Sequence, residues 1–371
     1  MKKAFCRKLV WTALLLVAAT TYPAESDLTN RLSISSQPNI LTNRLSLSAR
    51  FGFNISGKFK DIGGGLFATP PVNSRRTPPQ PGRPNGDPYN YDNGYVLTDI
   101  SGNFGGETTY WGYDDSASQI SGNTILLSRA IANSTVSGKD KDADPSYGGE
   151  LVYNRFLRES GSKRYGMEVA FNYQSINFSD NSSYSADLTR ATDAYPFEAG
   201  TTPPAATPAN PYQGSFLGPG FLLGDTPVGP GSISVVPGGM VITGTHRFDA
   251  NLWGFRCGPY LEFPVTERIN VSLSAGLALG WLDAEVSWSE SGAIPGGGSV
   301  RASGHDSEFD TLWGGYARVD ATYDLGKNWS LLCGLQYQSL GDYDDPSFDG
   351  RRVKLDMRNS IYLTVGLGKS F

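Results

Sequence analysis

Apolar and polar residues alternate along eight stretches of this chain, each about ten residues long and each bounded by turn residues. "RLSLSARFGFNISG" places Leu45, Leu47, Ala49, Phe51, Phe53 and Ile55 on one face. "GELVYNRFLR" does the same with Leu151, Tyr153 and Leu157, although Arg155 interrupts that face. "RYGMEVAFNYQ" offers Tyr165, Met167, Val169, Phe171 and Tyr173, and "FDANLWGFRCGPYLEF" offers Trp253, Phe255, Cys257, Leu261 and Phe263. "INVSLSAGLALGW" runs from Ile269 through Val271, Leu273, Ala275, Leu277 and Leu279 to Trp281. "LWGGYARVDATYDL" contributes Trp313, Ala317, Val319, Ala321 and Tyr323; "WSLLCGLQYQ" contributes Trp329, Leu331, Cys333, Leu335 and Tyr337. The chain closes on "SIYLTVGLGKSF", with Ile361, Leu363, Val365 and Leu367 before Phe371.

The opposite faces are polar: Ser46, Ser48, Arg50 and Asn154, then Glu168, Asn172, Gln174, Arg256, Tyr260 and Glu262, then Ser272, Ser274, Tyr316, Arg318, Asp320, Gln336 and Gln338. A water-soluble sandwich also alternates. Three further features predict an all-β, antiparallel transmembrane β-barrel of eight strands. Connections alternate between short turns ("ESGSK", "PVTE", "GKN") and long loops at about 60–147, 179–247, 290–308 and 339–356. The strand number is even, which puts both chain ends on the short-turn side. Aromatics gather at both ends of the apolar face: Tyr165, Phe263, Tyr323, Trp329 and Phe371 near the short turns, and Trp253, Trp281, Trp313 and Tyr337 near the long loops. A cation facing lipid at mid-membrane costs about 2–4 kcal/mol, and strands one, three, five, seven and eight place no charge there. Pro259 cannot donate to a ladder, so a bulge is expected at that point. "TILLSRAI" (124–131) is strand-like, which leaves ten strands open.

Composition agrees with this reading. The chain is 39% hydrophobic and 18% charged, both low for a globular protein, and it is rich in Gly, Tyr and Phe. A pI of 5.2 gives no basic face for nucleic acid. The start, "MKKAFCRKLVWTALLLVAA", has the basic and short apolar regions of an export signal. The expected organisation is a signal peptide at 1–24 (cut after Ala19 or Ala24), an N-terminal segment at 25–43 and a barrel at 44–371. Cys257 and Cys333 fall on the outward face of strands that are not neighbours, so no disulfide is expected between them.

The eight strands, the long loops and the terminal aromatic strand together resemble the small outer-membrane β-barrel proteins of the OmpA, OmpX and OmpW type. The resemblance covers about 44–371 and is one of architecture. It implies the outer membrane of a Gram-negative bacterium, with both termini periplasmic. It also implies outer-membrane lipid and the barrel-assembly machinery as partners, the latter reading Leu363, Val365, Leu367 and Phe371. The chain departs from OmpA in having no peptidoglycan-binding domain after the barrel.

Candidate chemistry is sparse. Arg50, Glu168, Arg256, Glu262, Arg318 and Asp320 are expected to point into the lumen, where opposite charges must pair. They form either a plugged lumen or the lining of a narrow path for ions or small solutes. His246 and His305 fall where strands four and six meet the outer loops, and are expected to be exposed there. A lipid hydrolase at that rim is a third reading, but neither His sits in a recognisable motif, and no enzyme activity is expected. Asp140, Asp142 and Asp144 have calcium-loop spacing, but the sixth position is Pro145 and no Glu occupies the twelfth. Asp342, Asp344, Asp345 and Asp349 form a second acidic loop. No metal and no cofactor are expected. Tyr110, Trp111 and Tyr113 in the first loop suit an exposed surface for an extracellular ligand, whereas the Pro-rich second loop is expected to be irregular. Two echoes recur, "LTNRLSIS"/"LTNRLSLS" and "FDANLWG"/"FDTLWGG". The expected function is a barrel that anchors large surface loops, structural or binding in role.

Overall fold

The structure is a computed structural model that describes residues 43–67, 90–99, 104–214, 219–295, 298–348 and 350–371, without side chains at 345–348. The expected export signal, the 25–42 segment and the first copy of the "LTNRLS" echo lie outside the described residues.

Eight strands close into a ring: β1 (Asn43–Phe53), β2 (Ser146–Ser160), β3 (Lys163–Asp180), β4 (Ser232–Pro264), β5 (Ile269–Ala293), β6 (Ser299–Gly326), β7 (Trp329–Ser339) and β8 (Ser360–Ser370). Each pairs antiparallel with the next in sequence, and β8 returns to β1. The closing ladder ends with Asn43 and Phe371 exchanging both backbone bonds, at 3.1 and 2.9 Å. The ring therefore has eight strands. The strand Thr124–Asn133, the candidate for a larger ring, instead pairs outside it with Tyr184–Pro196.

Alternation along the staves becomes a belt. Leu47, Leu277, Val319, Leu335 and Val365 all face outward and are exposed. Trp313 is 72% exposed, too much apolar surface for a side chain meant to meet water. With Tyr165, Tyr323, Trp329 and Phe371 at one edge and Trp313 and Tyr337 at the other, the outer face is that of a transmembrane barrel. Cys257 and Cys333 are free on this face. Pro259 brings no bulge: Cys257 pairs with Leu277 and Tyr260 with Ser274 in one unbroken register, and the ladder to β5 skips the positions between them.

β3 to β6 are far longer than a membrane requires. A tilted span takes about 9–11 residues, whereas β4 has 33, β5 has 25 and β6 has 28. Much of the predicted loop at 290–308, and the end of the one at 179–247, is thus strand. These staves rise past the belt as a wall, and their polarity inverts as they leave it. Within the belt Trp253 and Phe255 face out and Arg256 faces in; above it Asp249 and Asn251 face out while Phe248, Ala250 and Leu252 are buried. The side-chain phase never changes. The inversion falls at adjacent apolar pairs: Leu252–Trp253 on β4, Trp281–Leu282 on β5 and Leu312–Trp313 on β6. The shared "LW" of the second echo is this crossing point.

The short staves β7, β8, β1 and β2 leave one side of the wall open. A four-stranded sheet fills it, in the order Asp342–Phe348, Arg351–Asp356, Ser56–Lys60 and Lys141–Asp142. Its Phe59, Val353 and Leu355 are buried against the inner face of the wall.

Candidate functional site

The lumen holds a compact ionic cluster. All six residues expected there are buried: Arg50, Arg256, Arg318, Glu168, Glu262 and Asp320. A seventh, Glu150 on β2, is the hub. Its carboxylate accepts from Arg50 Nη1 at 2.7 Å, Arg256 Nη2 at 3.1 Å and Arg318 Nη1 at 2.5 Å. Arg256 also bonds Glu168, and Arg318 Nε bonds Asp320 at 2.7–2.8 Å. Arg50 lies 3.6 Å from the centre of the Tyr362 ring and donates to Gln338 at 2.9 Å. Three guanidinium groups thus face the carboxylates of Glu150, Glu168 and Asp320, a balance that burial demands. Glu262 stands apart from this cluster. It pairs with Arg44 at 2.9 Å and Arg164 at 3.4 Å, near the short-turn mouth. Glu150 lies within "GELVYNRFLR" and shares the parity of Asn154, but the polar face of that weakly alternating stretch is read from Asn154 alone.

Above the cluster the lumen is apolar. Leu252, Leu312 and Leu340 converge over Gly280, where an added Cβ would lie 3.0 Å from Leu252 and 3.2 Å from Leu340. All three leucines and Leu282 are buried. Close packing of this kind narrows the lumen at this layer. On β8, Gly366 faces β1 so closely that any Cβ would collide with the Leu47 carbonyl and Ser48. β8 can close on β1 only with glycine there.

A second ionic cluster ties the filling sheet to the wall. His246 is buried rather than exposed, because the wall continues past it and turns it inward. Its Nε2 lies 2.8 Å from Glu290 Oε1, and its ring packs on Phe59. Glu290 also accepts from Arg351 Nη2 at 2.6 Å and from the Gly63 backbone N–H at 2.9 Å. Arg351 stacks 3.8 Å from the Trp288 ring centre and donates to the Gly64 carbonyl. One carboxylate thereby joins β4, β5, the first loop and the fourth loop. Burial pushes the Glu290 carboxyl up, but the bonds from His246 and Arg351 outweigh this and hold it below the usual range. His305 points out of the wall, opposite Ser287, and shares no site with His246, which sits opposite Trp288.

The described acidic residues of these loops are largely committed to structure, while Asp349 lies outside the described residues. Asp144 caps the backbone N–H groups of Asn54 at 2.6 Å and Ile55 at 3.1 Å. Asp140 reaches Lys58, Asp344 pairs with Lys60 at 2.8 Å, and Asp342 pairs with Lys354 and Arg358 at 2.9 Å each. The aromatics of the first loop are not a display surface. Tyr110, Trp111 and Tyr113 are buried: Tyr110 packs with Tyr95 and Leu97, while Trp111 and Tyr113 build a small separate core with Tyr91, Tyr195 and Leu223. Trp111 Nε1 donates to the Phe221 carbonyl at 2.8 Å, so the Pro-rich second loop is bound into this core rather than irregular throughout.

No protein-family model and no curated protein sequence matches this chain. Solved structures similar to it include Ail, the attachment invasion locus protein of Yersinia pestis, in complex with the heparin analogue sucrose octasulfate. It is 9% identical, with a TM-score of 0.27, over 89% of this chain and 99% of that one. The outer membrane protease OmpT of Escherichia coli is 10% identical, with a TM-score of 0.29, over 91% and 99%. The outer membrane protein OprG of Pseudomonas aeruginosa is 10% identical, with a TM-score of 0.28, over 88% and 96%. The resemblance to small outer-membrane barrels thus recurs among solved structures, while the fold itself rests on the closed ring and its apolar belt.

Proposed function

We propose that the protein is an outer-membrane anchor: a sealed barrel that holds an ordered head outside the cell for surface binding. The leucine layer over Gly280 carries this reading, since it narrows the lumen above an already neutralised charge cluster. Asn43, where the first stave begins, and Phe371 lie together at the short-turn mouth, and this mouth is assigned to the periplasm. In planar bilayers the purified full chain is expected to give no steady conductance steps at any holding potential. Regular steps would overturn the seal and favour a narrow channel for ions or small solutes.

The last stave is assigned as the signal for the barrel-assembly machinery, through Leu363, Val365, Leu367 and Phe371. These side chains are exposed on the lipid face, so Phe371 contributes little to packing. Deleting Phe371 should therefore leave refolding into detergent micelles nearly unchanged while sharply lowering the amount of folded barrel in cells. Gel mobility before and after boiling measures both. Equal loss in the two settings would mean that Phe371 acts through stability alone.

A further inference from the structure

The two rims of the belt carry opposite charge. On the outward wall just beyond the long-loop girdle stand Asp249, Asp283 and Glu285 against the cation Arg247, which pairs with Asp249 at 2.8 Å, and Asp249 lies cross-strand from Glu285. At the short-turn rim the exposed side chains include Arg155, Arg158, Lys163, Arg268, Lys327 and Lys369, against Glu159, Glu267 and Asp324. Two of these cations are seated on girdle rings offered by another stave. The Lys163 ammonium is 5.5 Å from the Phe263 ring centre, and the Lys369 ammonium is 5.3 Å from that of Trp329, its cross-strand partner. Arg268, in the turn between β4 and β5, lies beside the Tyr323 hydroxyl.

Girdle rings settle where hydrocarbon meets headgroup. A cation resting on such a ring is held at that depth, with its stem along the apolar surface and its charge in the polar layer. Phosphate is the anion found at that depth. We propose that the short-turn rim is a binding collar for the phosphates of anionic phospholipids, with Lys163, Arg268 and Lys369 as its fixed contacts. This rests on the membrane-anchor reading above. An acidic protein docking from the periplasm would use the turn tips instead, at Arg158 and Lys327, and gains nothing from cations laid back onto the girdle.

The test uses the full chain folded into phosphatidylcholine vesicles that contain spin-labelled phosphatidylglycerol or spin-labelled phosphatidylcholine. Electron spin resonance reports the fraction of each label immobilised at the barrel surface. Phosphatidylglycerol should be enriched about three- to tenfold over phosphatidylcholine. The enrichment should fall towards one in about 1 M salt and in the variant K163Q/R268Q/K369Q, while Lys369→Arg should keep it. Equal immobilisation of both labels by the unaltered chain would overturn the collar. So would full enrichment in the triple variant, which would move the contact to the turn tips. A chain that immobilises neither label would instead overturn the membrane reading itself. The salt series needs no variant, so a triple variant that misfolds leaves the collar open to refutation.

Discussion

Glu150→Gln is expected to destabilise the barrel by about 3–5 kcal/mol, the cost of breaking a buried ion pair from one side. Arg50, Arg256 and Arg318 all donate to this one carboxylate. Without it, three guanidinium groups face only Glu168 and Asp320 within the cluster. Glutamine keeps the shape and one acceptor oxygen, so the loss reads charge rather than volume. Glu262→Gln, nearer the mouth, should cost less, because its partners Arg44 and Arg164 keep contact with water and need not stay unpaired in a dry interior. Adding Arg50→Met to Glu150→Gln restores neutrality and should recover part of the loss. Urea midpoints in vesicles, followed by gel mobility, measure the series. Equal midpoints for the Glu150 and Glu262 variants would show that the hub carries no special weight.

Glu290→Gln should have a comparable local effect and a different global one. It removes the carboxylate shared by His246, Arg351 and the Gly63 N–H. The filling sheet should then loosen from the wall by about 3 kcal/mol while the ring stays closed. Limited proteolysis should cut in the first and fourth loops, and gel mobility should still report a folded barrel. Loss of the folded band as well would show that head and ring unfold together.

Acid should loosen the head in the same way, and the sign follows from its carboxylates. Burial raises the Asp180 carboxyl, but bonds from Tyr184, Ser182 and Lys141 outweigh this and bring it to about 2. The bond from Arg358, against a smaller opposing effect of burial, holds Asp356 at about 2. Glu290 is lowered too. Each value lies below that of the unfolded chain, near 4. The stability these groups supply is therefore present above about pH 4 and is lost as pH falls towards 2.

The ring was legible in the sequence because lipid imposes one rule on every stave, apolar outside, and a period of two reports it directly. The lumen charges followed by parity, and Glu150 shares that parity within a stretch whose alternation Arg155 weakens. The head was not legible for a physical reason. Above the belt water replaces lipid, so the same alternation continues with its polarity inverted, and Phe248 and His246 look like rim residues when they are core. Tyr110, Trp111 and Tyr113 misled in another way. Aromatics among Gly and Asp read as display residues, and only the packing of two loops separated by about a hundred residues shows them as a core.

The staves that rise past the belt also set a height. On β4 the ladder with β5 begins at Val241, eleven residues before Leu252, roughly 36 Å at 3.3 Å per residue. A tilt of about 40° leaves roughly 28 Å of elevation beyond the belt. A mast of this kind, unlike a tether, cannot swivel or lie down. Whatever the tip touches is met at a set distance and a set angle.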